Sequence, residues 1–116
     1  MPILVEVESV SDWFDACSVS DCPEGAVIEV IMEGNIVAIA NVSGEFHAMD
    51  GICAHQGGPL GKGQLEGCRL TCPWHGWQYD VTSGQQLTAA SIVQRTFRVR
   101  AVGGTIQVEL GAAGDE

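Results

Sequence analysis

Residues 96–110 read TFRVRAVGGTIQVEL, and this stretch decides the fold class. Two β-rich runs, Thr96 to Val102 and Thr105 to Leu110, flank Gly103-Gly104, a two-residue turn that favours a hairpin. Phe97, Val99 and Ala101 alternate with Arg98 and Arg100, so one face of the ribbon is expected to be buried and the other wet. Further back, Ala26 to Met32 and Asn35 to Asn41 repeat the pattern around Glu33-Gly34. Glu45 to Met49 follows after Ser43-Gly44, and the three runs together predict a meander. Ile3 to Val7 reads as one more strand, whereas Ser11-Asp12-Trp13-Phe14 reads as a short helical turn with Ser11 as its N-cap.

These runs make the fold class all-β. A chain of 116 residues, 46% hydrophobic and 17% charged, can bury one core and leaves no room for a second full domain, so residues 1–116 are expected to form a single unit. The 15 glycines mostly separate short runs of Val, Ile and Leu, which suits strands joined by tight turns. Only the end, residues 111–116, looks frayed.

Charge narrows the function. Fifteen acids against five Lys and Arg give a net charge of -10, a surface that repels phosphate backbones and anionic headgroups, so neither nucleic acid nor a membrane is an expected partner. Such a surface first serves solubility, and it can also steer the chain toward a basic patch on another protein. The start, MPILVEVESVSDWF, lacks the basic and apolar regions of a secretory signal. The apolar stretch from Ala26 to Val42 is broken by Glu29, Glu33, Gly34 and Asn35 and cannot cross a membrane as a helix. Five Cys with no export signal suit a reducing cytoplasm, where Cys and His together more often hold metal than form disulfides.

From about residue 50 to residue 80 the texture turns loop-rich, and here the chemistry is concentrated. Cys53-Ala54-His55 and, sixteen residues on, Cys72-Pro73-Trp74-His75 offer two thiolates and two imidazoles in two matching loops. A four-iron cubane wants four thiolates, and structural zinc usually takes paired Cys followed by paired His. The alternating order instead suits a two-iron cluster in which one iron takes both Cys and the other both His. A tetrahedral zinc on the same four ligands is the bland alternative, and colour separates the two, since zinc is colourless. The glycines at 57, 58, 61 and 63 precede no P-loop Lys and are read as room for backbone amides to approach cluster sulfurs, with Pro59 and Pro73 stiffening the loops.

The pattern Cys-x-His, then Cys-x-x-His, resembles the Rieske family. His55-Gln56-Gly57-Gly58-Pro59-Leu60 is similar to the first cluster loop of Rieske ferredoxins, and Cys72-Pro73-Trp74-His75-Gly76-Trp77-Gln78-Tyr79-Asp80 to the second. The resemblance implies an antiparallel β-sandwich with a small cluster-binding subdomain at about 50–80. It also implies a [2Fe-2S] cluster with Cys53 and Cys72 on the inner iron and His55 and His75 on the outer one, at the surface where electrons come and go. High-potential relatives join their loops by a disulfide at the positions of Gly58 and Trp74 and carry Ser at the position of Trp77. Tyr79 keeps the place from which a Tyr hydroxyl bonds a ligand sulfur. One donor lost and no disulfide imply a potential near the low end of the Rieske range, about -150 mV. Trp77 itself is read first as an aromatic packed beneath a loop, and second as an electron conduit.

The chain has three histidines, so once the cluster is served only His47 remains, too few for the mononuclear iron of an oxygenase. The resemblance therefore implies a ferredoxin, not itself an enzyme, that shuttles electrons from a flavin- or NAD(P)H-dependent reductase to a terminal oxygenase through transient docking. Two alternatives are a small subunit or accessory electron carrier of an assimilatory nitrite reductase-like enzyme, and a redox-sensing interaction module. His47 is read as a surface or hydrogen-bonded residue. Cys68, in phase with Cys72, is read as a small core residue, and Cys17 and Cys22 as thiols rather than a disulfide.

Overall fold

Three hairpin turns place both central residues at positive φ: Glu33 (49°) with Gly34 (81°), Ser43 (53°) with Gly44 (92°), and Gly103 (57°) with Gly104 (85°). That is the type I′ geometry whose twist matches the flanking strands, and glycine takes the second place each time. The computed structural model describes residues 12–74 and 76–110. In chain order its strands are β1 (Asp12–Ser18), β2 (Val27–Met32), β3 (Asn35–Val42), β4 (Glu45–Asp50), β5 (Gln64–Glu66), β6 (Arg69–Thr71), β7 (Gln78–Asp80), β8 (Thr96–Phe97), β9 (Val99–Val102) and β10 (Thr105–Leu110). Two single 3₁₀ turns, Val19–Asp21 and Leu60–Lys62, are the helical pieces among the described residues.

The strands form three antiparallel sheets, ordered β1-β10-β9, β2-β3-β4-β8 and β5-β6-β7. The expected meander is β2-β3-β4, with Val30 opposite Val37 and Ile39 opposite Ala48. β3 explains how the layers join. Val37 and Ile39 point into a core shared with Ile106 and Val108 of β10, while Ala38 and Ala40 point into a second core with Leu60, Leu70 and Tyr79. A strand buried on both faces needs apolar residues at every position, and residues 36–40 read Ile-Val-Ala-Ile-Ala. The first core closes the β-sandwich. The second welds β5-β6-β7 and its loops onto the back of the central sheet.

Several expectations change. Residues Asp12–Ser18 are strand rather than helical turn, because Trp13 and Phe14 pair with Glu109 and Val108 of β10 and Phe14 packs on the sandwich core. Tertiary pairing here overrides a local capping signal. Ser11, Ile3 to Val7 and the end at 111–116 lie outside the described residues. Phe97 and Val99 are half-buried and Arg98 and Arg100 exposed, as the alternation requires, but Ala101 is exposed where the ribbon runs out toward its turn. Cys68 is exposed, not core. Glu66 pairs with Arg69, so Gly67 and Cys68 form the turn between β5 and β6.

Candidate metal centre

Cys53 and Cys72 stand at equivalent places, each just past the end of a strand, β4 and β6. The first loop leaves β4 and is closed at its base by Leu60 N–H donating to Gly51 O (2.9 Å) and higher up by Cys53 N–H donating to Gly58 O (2.9 Å). The second spans the β6-β7 hairpin and is closed by Cys72 N–H donating to Trp77 O (2.8 Å). In both, the amide two residues on donates to the thiol: His55 N–H to Cys53 Sγ and Trp74 N–H to Cys72 Sγ, each at 3.4 Å. The amides that reach the sulfurs belong to His55 and Trp74. Gly58 has a different task. A Cβ there would lie 2.6 Å from Cys72 Sγ and 3.0 Å from Trp74 Cβ, so only glycine lets the first loop close over the second cysteine.

Both thiols are almost wholly buried, at 2% and 1% exposure. Burial, with the neighbouring Cys53 thiol in the same direction, pushes the Cys72 thiol up, while the Trp74 N–H pulls it down. Tyr79, fully buried, places its hydroxyl 3.2 Å from Cys53 Sγ and accepts the Ala54 N–H at 3.2 Å. Burial first, then the Cys53 contact, raises the phenol, so it keeps its proton. With its oxygen already accepting from Ala54, the hydroxyl proton is free to point at Cys53. His55 Nδ1 is shut off from solvent, and its ring lies face to face with Trp77, centroids 4.5 Å apart and planes 10° from parallel. His75 lies outside the described residues.

This donor set fits a two-iron cluster. Each buried sulfur receives an N–H, which would ease the negative charge of a metal-bound thiolate. A two-iron cluster would take the Cys pair on one iron and the His pair on the other. The other candidates stay apart from this centre. His47, on β4, has its shielded Nε2 3.3 Å from Glu45 Oε1, close enough for an ion pair but not aligned as a hydrogen bond. Cys17 and Cys22 are free thiols in the sandwich core, and burial pushes Cys17 up to about 11, with Cys22 and Asp21 adding to it.

The Rieske [2Fe-2S] domain family matches residues 12–99. The chain belongs to the Rieske family. It is 35% identical over 100 residues, 84% of this chain and 95% of the relative, to the ferredoxin component of the naphthalene 1,2-dioxygenase system of Pseudomonas aeruginosa. It is 32% identical over 115 residues, 97% of this chain and 98% of the relative, to the ferredoxin component of the p-cumate 2,3-dioxygenase system of Pseudomonas putida. Among solved structures it superposes with a TM-score of 0.78 and 27% identity on a chain from the complex of reduced oxygenase and oxidized ferredoxin in carbazole 1,9a-dioxygenase, covering 85% of this chain and 94% of that one. As a Rieske protein the chain carries a [2Fe-2S] cluster.

Sequence reasoning did not anticipate one residue that shapes the Rieske site. Gln94 is 7% exposed, and its amide donates to Ile52 O (2.7 Å) and Asp50 O (3.1 Å), gripping the segment that delivers Cys53. A glutamine after an irregular run, 42 residues from its acceptor, carries no local signal of such a role.

Proposed function

We propose that this chain is a one-electron carrier that receives electrons from a flavin- or NAD(P)H-dependent reductase and passes them to a terminal oxygenase, with its cluster on Cys53, His55, Cys72 and His75. The observation that carries the reading is the match along 97% of this chain and 98% of the relative to a protein that is itself a ferredoxin component. No observation favours the nitrite reductase or sensor alternatives.

When bound, the cluster stores and releases one electron. The residues supply its setting. Cys53 and Cys72 would hold one iron in the buried floor of the subdomain at about 50–80, and His55 and His75 the other. Tyr79 O–H and the N–H groups of His55 and Trp74 direct positive dipoles at the two sulfurs, which favours the more negative, reduced state. Gly58 and Trp74 leave the loops without a disulfide, and Trp77 stands where high-potential relatives have a hydroxyl donor. Ile52 and Trp74, beside the two cysteines and 46% and 49% exposed, form an apolar rim that a docked partner can shield from water. The chain acts as a carrier, not a catalyst, since the one histidine left over sits on β4 against Glu45. Among the described residues no helix is long and apolar enough to cross a membrane, and a cytoplasmic site of action suits the thiol chemistry.

A reductive titration tests this. One electron per chain is expected, with a midpoint near about -150 mV, followed by reoxidation on anaerobic addition of a Rieske terminal oxygenase. A colourless protein, or one taking up no electron, would overturn the carrier reading. A clearly positive midpoint would overturn the low-potential part of it.

A further inference from the structure

The stack between His55 and Trp77 asks for more than packing to explain it. The χ2 torsion of a histidine is broad and roughly two-fold, so a loop imidazole left to itself sweeps its ring nitrogens through a wide arc. A metal–imidazole bond needs the nitrogen lone pair held along one direction. Trp77 is placed to hold it. Its backbone closes the second loop through the Cys72 N–H, and its side chain packs on the second core beneath that loop. Its indole face then crosses to the first loop and lies 10° from parallel with His55 at 4.5 Å. One residue thus ties together the two loops that carry the four expected ligands. A filler side chain could meet His55 by edge or tip; a near-parallel face restricts the ring's rotation without itself occupying the ring plane.

We infer that Trp77 is a positioning residue: its indole face fixes the plane of the His55 imidazole and thereby the direction from which His55 approaches the cluster. This rests on the reading of His55 as a ligand. It also predicts that the aromatic face, rather than the bulk, is what the position requires.

The test compares W77F, which keeps a face, with W77L, which keeps apolar bulk without one, both as holoprotein. Two readouts are taken: the rate of iron loss to a ferrous chelator, and the electron paramagnetic resonance spectrum of the reduced protein. W77L is expected to lose iron on the order of tenfold faster than the unaltered protein and to show shifted g values. W77F is expected to stay within roughly twofold with an unshifted spectrum. If Leu prevents loading altogether while W77F loads with an unshifted spectrum, the inference holds when the W77L apoprotein melts with the unaltered apoprotein, and fails when it melts lower. Equal behaviour of the two variants overturns it, and so does faster iron loss from W77L with an unchanged spectrum, since packing alone would give that. H55A, run alongside, separates the two layers. An H55A protein that keeps the native cluster spectrum refutes the ligand reading, whereas H55A losing it while the Trp77 variants agree refutes only the positioning role.

Discussion

The Tyr79 hydroxyl sits between the Ala54 N–H and the Cys53 sulfur, and its burial keeps it protonated. Removing it in Y79F takes one donor from a sulfur whose negative charge grows on reduction. A net hydrogen bond of about 1 kcal/mol corresponds to roughly 40 mV on the one-electron scale. The midpoint is therefore expected to fall by about that amount in a spectroelectrochemical titration, and an unchanged or higher value would detach Tyr79 from the centre. The other cysteines divide by exposure. Cys17, held up near 11, and buried Cys22 present almost no thiolate at pH 8, while Cys68 stands in the open turn after Gly67. Brief iodoacetamide treatment of the native holoprotein is expected to give one adduct, at Cys68 by peptide mass. An adduct at Cys17 or Cys22 would contradict the burial described.

At the scale of elements, the first cluster loop depends on a distant clasp. Gln94→Ala would leave the carbonyls of Asp50 and Ile52 without their donor, at a cost of about 1–3 kcal/mol. A lower melting temperature is expected, with faster amide exchange confined to the first loop. Uniform loss of protection across β2-β3-β4 would place the effect elsewhere. What sequence could show follows the same division between local and distant. The turns at Glu33-Gly34 and Gly103-Gly104 were legible because two adjacent residues with the right φ tolerance set the register of both strands. The ligand motif was legible because it lies within two short loops. β1 was not, because its strand state is imposed by β10, whose Val108 pairs with Phe14 across the whole chain. Cys68 was misread because strand β6 begins one residue later than its apolar phase suggested. The clasp of Gln94 and the face of Trp77 on His55 join segments tens of residues apart, and no local pattern encodes them.

Across the whole molecule, β3 is the shared wall. Its two faces bind the sandwich core and the core beneath the cluster loops, so the loops stand on a sheet that is fixed from behind. The net charge of -10 surrounds this platform. Opposite charge on a reductase or oxygenase would speed encounter without holding the complex, which suits a carrier that must leave after each transfer. The association rate with its reductase is expected to fall steeply as ionic strength rises from ~0.01 M to ~0.15 M, where the Debye length shrinks from about 30 to about 8 Å. A rate indifferent to salt would remove charge steering from the picture.

Mixed ligation by two cysteines and two histidines underlies all of this, and one spectrum examines it directly. Electron–nuclear double resonance on the reduced protein, labelled with ¹⁵N at histidine, is expected to show two strongly coupled nitrogens, both retained in H47A. Fewer than two such nitrogens, or the loss of one in H47A, would contradict the assignment of His55 and His75 as the histidine ligands.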